Sequence, residues 1–424
     1  MDLWSLEVNG SSRSPGPGDE TDGRVGLELR TGLRVNLARL SLLILQVAFV
    51  GAMVGVERTV LPLLAKSEFG LASNAAALSF ILAFGAAKAP ANLMAGEFAD
   101  RFGRRRTLIA GWCIGAPAPL LIAVAPSWNW VIAANVLLGL QQGLCWSTSI
   151  FMKVDFSGVR RRGLAIGINE FAGYLGTASA AYATGVIAAH AAPRWAPFVL
   201  GEFLALGGLA TAFFFVEDTL VFVLGEANRR SMIASSRPLA LAAFAQAGFV
   251  TKFADVATWG LLPIYFSERG LSLTKISLLA AAYPAAWGIL QPFTGALSDA
   301  RGRRTPMVAG MLLQGIGLVA VAASDSFATW LTAVTLLGSG TALAYPVLIA
   351  ATGDSVEPHR RAAAIGRFRL WRDLGFVGGA VLIGVLADQL GTPRTLETLA
   401  MVAVASGGVI ALSTRRQPMS PMVS

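Results

Sequence analysis

One charged segment occurs twice at a fixed spacing, and that repeat restricts the chain to folds with two like-built halves. Gly96-Glu97-Phe98-Ala99-Asp100-Arg101-Phe102-Gly103-Arg104-Arg105 returns 199 positions later as Gly295-Ala296-Leu297-Ser298-Asp299-Ala300-Arg301-Gly302-Arg303-Arg304. The same offset carries Gly111 onto Gly310, Leu137-Leu138-Gly139 onto Leu336-Leu337-Gly338, and Asp155 onto Asp354. It also carries Arg161-Arg162 onto Arg360-Arg361 and Ile166-Gly167 onto Ile365-Gly366. Parallel repeats of this length in an apolar chain are a building plan of membrane proteins.

The solvent follows from composition. The 424 residues are 54% hydrophobic and only 14% charged, with a mean hydropathy of +0.61. A soluble chain carries roughly a quarter charged residues, so lipid is the natural environment here. The net charge of +9 does not point to nucleic acid. Its arginines cluster in short segments between apolar runs, and no basic helix or aromatic platform stands clear of those runs. Cys113 and Cys145 both fall inside apolar runs, so neither a structural disulfide nor a thiol metal site is expected. His190 and His359 fall in loops on opposite sides and share no site. No metal and no cofactor is expected. Residues 1–37 contain Ser-Pro-Gly stretches without an apolar run, and are expected to be a disordered cytoplasmic tail instead of a signal peptide.

A membrane-spanning helix needs about 20 mostly apolar residues. Twelve runs qualify. Six lie at 38–64, 73–95, 106–125, 128–152, 163–189 and 197–216. The other six lie at 238–264, 272–294, 305–323, 327–351, 362–388 and 394–413. A polar linker, 217–237, separates the two sets and carries Glu217, Asp218, Glu226, Arg229, Arg230 and Arg237. Orientation follows from the basic residues of the short loops. Arg101, Arg104, Arg105, Arg106, Lys153, Arg160, Arg161, Arg162, Arg301, Arg303, Arg304, Arg360 and Arg361 fall on one side. Lys66, Arg194, Arg269, Lys275 and Arg394 fall on the other. Thirteen against five places the linker, both termini and the tail 414–424 in the cytoplasm.

The doubled G-x-x-x-D-x-x-G-R-R segment in a twelve-span chain resembles the major facilitator superfamily of secondary transporters over residues 38–413. The second copy departs from that family's signature only at Ala300, where a base is usual. The resemblance implies an all-α membrane fold of two pseudo-symmetric six-helix bundles, 38–216 and 238–413, around a midplane cavity. It implies a monomer in lipid, a small-molecule solute as partner, and no enzymatic activity. It also implies gating residues: Gly96, Asp100, Arg101, Gly103, Arg104, Arg105 and Asp155, matched by Gly295, Asp299, Gly302, Arg303, Arg304 and Asp354. Two glycines allow a tight turn, and a carboxylate such as Asp100 suits a helix N-terminus. In the family that terminus belongs to helix 11. Arg104 is expected to pair with Asp155, and Arg303 with Asp354, as a lock that holds the cytoplasmic side closed and breaks for the inward-open state. The bland reading is that these arginines only set topology.

Ionisable groups inside a span cost a few kcal/mol each and call for a function. Glu57 and Arg58 lie in span 1 ahead of Pro62. Lys252 and Asp255 lie in span 7 ahead of Pro263. The repeat puts Glu57 opposite Val256, next to Asp255, so the two acids are expected to form a proton or cation site. The competing reading is two locally neutralised pairs, Glu57 with Arg58 and Lys252 with Asp255. Lys88 lies deep in span 2. Glu170 in span 5 maps onto Arg369, in a run with Arg367, Arg372 and Asp373, and a pair across the interface is expected. Gln141, Gln142, Trp259, Tyr283, Trp287 and Gln291 supply candidate substrate contacts.

No phosphate-binding loop is present, so a gradient is the expected energy source and the proton the expected coupling ion. The drug/proton antiporters of the superfamily carry an arginine in span 4 and a Gly-Pro motif in span 5. Here Gly139 stands where the arginine would be, and Gly173-Tyr174-Leu175-Gly176 lacks the proline. The sequence therefore reads as a bacterial inner-membrane transporter of a small solute, with efflux favoured. Proton-coupled uptake of an organic acid, nutrient or metal complex is the alternative. A receptor or scaffold on the same fold is the alternative of another class.

Overall fold

Twelve helical rods replace the twelve apolar runs of the sequence. The computed structural model describes residues 36–157, 162–191, 193–220, 238–357 and 360–414. The tails, linker residues 221–237, Arg160, Arg161 and His359 lie outside the described residues, as do the side chains of Arg162 and Arg361. The first half comprises α1 (Leu37–Ser67), α2 (Ser79–Phe102, preceded by the turn Asn74–Ala77), α3 (Arg104–Ala123), α4 (Trp128–Ser157), α5 (Arg162–His190) and α6 (Ala196–Phe214). The second comprises α7 (Pro238–Glu268), α8 (Leu273–Arg301), α9 (Arg304–Ala322), α10 (Phe327–Asp354), α11 (Arg361–Leu390) and α12 (Thr392–Ser413). Among the described residues nine of these rods are long and apolar enough to cross a membrane by composition alone. The other three, α2, α4 and α5, carry Lys88, Asn92, Gln141, Gln142, Lys153, Asn169 and Glu170. Their polar groups are turned inward, and all of these but Lys88 are fully buried.

The sequence repeat is also a repeat in space. A methyl group on Gly139 would fall 2.4 Å from the Phe84 carbonyl oxygen, which is how closely α4 approaches α2. Under the 199-residue offset these residues become Gly338 and Tyr283, and there the corresponding distance is 2.2 Å. Such backbone proximity is what small residues give helix pairs in lipid. Within each half α1 packs on α5 as α7 packs on α11, and α2 on α4 as α8 on α10. Between the halves the pairs are α2 with α11 and α5 with α8.

The charged repeat is less of a loop than the sequence suggested. Helices α2 and α8 run on to Phe102 and Arg301, so Gly96–Arg101 and Gly295–Arg301 are helical. The reversal is confined to Gly103 and Gly302, with φ of 93° and 82°. A side chain at either position would strain the backbone, so glycine alone lets the next helix start at once.

Helices α1 and α7 are broken at corresponding depths. Helix α1 is interrupted at Thr59 and Val60, ahead of Pro62, and α7 has a π-helical turn, Ala257–Leu261, around Pro263. A proline removes the N–H that would donate to the carbonyl four residues back. Those carbonyls belong to Arg58 and Trp259. Broken helices at the midplane and π turns both recur at functional sites.

Candidate functional site

Each copy of the repeated segment builds the same ion triad. Arg104 Nη1 donates to Asp100 Oδ1 at 2.5 Å and its Nε to Asp155 Oδ2 at 3.2 Å. Arg303 Nη1 donates to Asp299 Oδ1 at 2.5 Å and its Nε to Asp354 Oδ2 at 3.1 Å. The pairings expected within each half are present. The copies differ in burial: the side chain of Asp155 is 7% exposed and that of Asp354 52%. Arg104→Ala should therefore strand a buried carboxylate and cost about 2 kcal/mol. Arg303→Ala, whose partner is solvated, should cost less than about 1 kcal/mol. Thermal unfolding of the two purified variants checks the order.

Asp100 corrects the resemblance. It does not cap α11; it is turned to Arg104, and its side chain is 69% exposed. The space beside the charged repeats is locally open, while one turn deeper a methyl on Gly366 would still reach Leu93 at 3.8 Å and one on Gly167 would reach Pro292 at 3.9 Å across the interface. A methyl on Gly295 would meet nothing within 4 Å, and one on Gly96 would reach only Phe151 of its own half. The first-half cap is supplied instead by Asp218, whose Oδ2 accepts the Arg105 backbone N–H at 3.1 Å. Arg105 Nη2 donates to the Phe213 carbonyl at 2.5 Å, Arg101 lies over the Phe102 ring, and Arg304 opens α9. Thr219 donates to Asp155 at 2.6 Å, and Arg39 to Glu217 at 2.7 Å, so the linker begins as part of the first half.

On the opposite face the halves close. Asp388, at the end of α11, accepts from Ser73 Oγ at 2.6 Å, Asn74 N at 2.6 Å and Ala75 N at 3.2 Å. This is a carboxylate cap on the start of α2, made across the interface. Four residues earlier on α11, a methyl on Gly384 would fall 2.5 Å from Ala75 Cα. On α5, a methyl on Gly185 would fall 2.2 Å from Ser277 Cβ of α8.

Between the two faces lies a buried polar cluster contributed by both halves. Asp255 accepts from Lys252 and from Tyr283 Oη, and Tyr283 lies 3.1 Å from Thr341 Oγ1. Trp259 packs edge-on against Tyr283, and Trp287 stacks on Tyr174 of the other half at 3.6 Å. Arg372 donates to Asp373 at 3.1 Å and lies over the Tyr345 ring at 3.8 Å. Asp373 accepts from Asn92 of α2, which in turn accepts from Ser147 at 2.7 Å. Lys88 is half-buried among Phe84, Trp146 and Phe376. Arg58 is 0% exposed and lies over Phe80, Phe84 and Trp259.

Several expected pairings are not made in this conformation. Glu170 does not meet Arg369; it accepts Trp146 Nε1 at 2.7 Å, and Arg369 Nε is without a partner. Pseudo-equivalent helices are not neighbours: α5 lies on α1 and α8, α11 on α2 and α7. Glu57 and Asp255 do not share a site either. Glu57 is turned to Asn135 in its own half, while Asp255 forms the local pair with Lys252. The local Glu57–Arg58 pair is not made, since the three guanidinium nitrogens of Arg58 have no hydrogen-bond partner. Gln142 serves packing, donating to the Val50 carbonyl of α1 at 2.6 Å. Lys153 is no loop charge; it is fully buried and donates to Leu43 O, Ser149 Oγ and Asn169 Oδ1. Sequence reasoning passed over Asn92, Asn135, Trp146, Tyr345 and Asp388. The offset itself pairs Trp146 with Tyr345 and Asn92 with Gln291, a signal that was available.

Known proteins are similar to this chain in sequence or in fold. The MFS-type transporter YddS of Bacillus subtilis (strain 168) is 26% identical over 368 residues, covering 82% of this chain and 84% of its own. The quinolone resistance protein NorA of Staphylococcus aureus is 24% identical over 128 residues, 30% of this chain and 33% of its own. Among solved structures, a POT family transporter in complex with 5-aminolevulinic acid superposes with a TM-score of 0.73 at 14% identity, covering 88% and 95% of the two chains. The human organic anion transporter MFSD10 gives 0.65 at 14% identity, over 88% and 99%. These two share the fold. The family model of the Major Facilitator Superfamily matches residues 43–253 and again 239–422, one copy for each half. With that double match and twelve helices in two like halves, the chain belongs to the Major Facilitator Superfamily, a family of membrane transporters and not of enzymes.

Proposed function

We propose that this protein is a proton-coupled secondary transporter that moves a small solute across the bacterial inner membrane by alternating access, with efflux its favoured direction. The observation that carries the reading is the asymmetry of the interface. The halves are latched on one face by Asp388 and packed loosely at the charged repeats, where a methyl on Gly295 would meet nothing within 4 Å, with a buried acid–base cluster between them. That is one end state of a rocking-bundle cycle. Similarity to NorA favours export. The distribution of basic residues favours a cytoplasmic charged-repeat face, linker and termini, and on that reading the state is inward-facing. The two ion triads, each made within one half and intact in this state, hold the cytoplasmic ends of α2–α4 and α8–α10 rigid while the halves rock, in place of the expected lock that breaks.

Glu57 is the proposed proton carrier, since it sits at the break of α1 with Oε2 unpartnered. In everted membrane vesicles energised to an acidic lumen, the transported solute should dissipate the pH gradient. Glu57→Gln should abolish that dissipation while leaving solute exchange between equal compartments within about threefold of wild type. Active transport surviving in Glu57→Gln would remove the assignment, and solute flux indifferent to every ion gradient would remove the coupled reading.

A further inference from the structure

Arg58 is a buried cation that no hydrogen bond among the described residues satisfies. Nε, Nη1 and Nη2 are all without a hydrogen-bond partner, and the side chain is wholly buried. Burying a cation without a hydrogen-bonded partner is costly. The rings of Phe84 at 4.6 Å, Phe80 at 5.5 Å and Trp259 at 5.6 Å offset only part of that cost by cation–π attraction. The acids nearest to it are engaged elsewhere, Glu57 toward Asn135 and Asp255 with Lys252 and Tyr283. A site that keeps such a group unsatisfied is built for something that arrives.

Three further features aim at the same place. Trp259 Nε1 is also buried without a partner, and its ring is carried by the π turn of α7. A second cation, Lys88, lies over the same Phe84 ring at 5.3 Å, and no carboxylate among the described residues lies within ion-pair distance of it. Lys88 is half-buried where Arg58 is not, and so marks the side from which the site is approached. The two broken helices thus meet through residues that each stand four before a proline.

We propose that Arg58 and Trp259 Nε1–H bind the carboxylate of an aromatic organic acid, with Phe80, Phe84 and Trp259 packing against its ring. A guanidinium presents two parallel N–H groups that match two carboxylate oxygens, and a planar body suits a box of aromatic faces. A phosphate would have to shed a larger hydration cost in so apolar a box, and its tetrahedral head offers no flat body to the aromatic faces. Lys88 raises the local positive potential and draws the anion inward. The proposal deepens the transport reading, on which it rests, by naming the solute class.

The test is binding to the detergent-purified full chain, which requires no gradient. The probes are 2-naphthoate, its neutral twin 2-naphthamide, and tetraphenylphosphonium as a cation. Naphthoate should raise the melting temperature and quench tryptophan fluorescence, and the other two should not. Arg58→Gln should weaken naphthoate binding at least about tenfold, and without ligand should melt at or above wild type, because it deletes an uncompensated buried charge. Trp259→Phe, which keeps the ring and loses the donor, should weaken binding about fivefold. Equal binding of the amide, retained binding in Arg58→Gln, or a lower melting temperature for ligand-free Arg58→Gln would each overturn the site. Naphthoate binding without flux in vesicles would sustain the site and count against transport. Flux of another solute with no naphthoate binding would sustain transport and overturn the site.

Discussion

Asp255→Ala is expected to cost about 3–5 kcal/mol of folded-state stability, enough to remove most of the purified monodisperse protein. Asp255 is fully buried and accepts from both Lys252 and Tyr283. Its loss leaves an ammonium between the rings of Trp287 at 5.1 Å and Phe376 at 4.6 Å with no ion-pair partner among the described residues. Tyr283 loses its acceptor as well, and with it the ordered end of a chain running through Thr341 to Gln314 at 3.2 Å. Removing both charges together, as Lys252→Met with Asp255→Leu, should recover most of that stability, because a buried pair costs nearly as much to desolvate as it returns. Transport should not recover. A double-mutant cycle by thermal unfolding measures the coupling. If the double variant is as unstable as the single, charge stranding is not the cause.

Gly384→Val is expected to reverse the preferred conformation. A methyl there would fall 2.5 Å from Ala75 Cα, and a backbone atom at a helix start has nowhere to move. Relief comes only by parting α11 from the start of α2, which breaks the Asp388 cap one turn away. Overpacking of this kind costs about 1–3 kcal/mol, and about 1.4 kcal/mol shifts a two-state population tenfold. Asp388→Ala should move the balance the same way by a smaller amount, since a lost cap is worth about 1 kcal/mol. Reaction of a cysteine at Ser277, now packed against Gly185, with a membrane-impermeant maleimide should rise in both variants. No rise in Gly384→Val would show that this face is not the closed gate.

Much of the architecture was legible because two signals are long and redundant. The apolar runs coincide with the twelve long helical rods of the described residues, nine of which are apolar enough to span a membrane by composition alone, and the constant offset pointed to two like sets. Its spatial meaning is visible where Gly139 meets Phe84 as Gly338 meets Tyr283. Helix ends were missed where charges continue the helix, as in Gly96–Arg101, since interior polar residues end a hydropathy run before they end a helix. The charged groups were legible one by one and not as a network. Lys252 with Asp255 forms the local pair that its spacing offered, but the pairing of Glu170 with Arg369 mistook symmetry for adjacency. The pairs that do form between halves, Asn92 with Asp373 and Asn74 with Asp388, join residues hundreds of positions apart with no local pattern.

The central claim is that two like halves rock about a buried charged site, opening one face as the other shuts. Spin labels report this on both faces, one pair at positions 97 and 296 beside the charged repeats and another at 67 and 389 opposite. Double electron–electron resonance in lipid nanodiscs should give a long distance for the first pair and a short one for the second in the wild type. In Gly384→Val the first should shorten as the second lengthens. Distances on the two faces that change in the same sense, or a first pair unmoved while the second opens, would contradict the account.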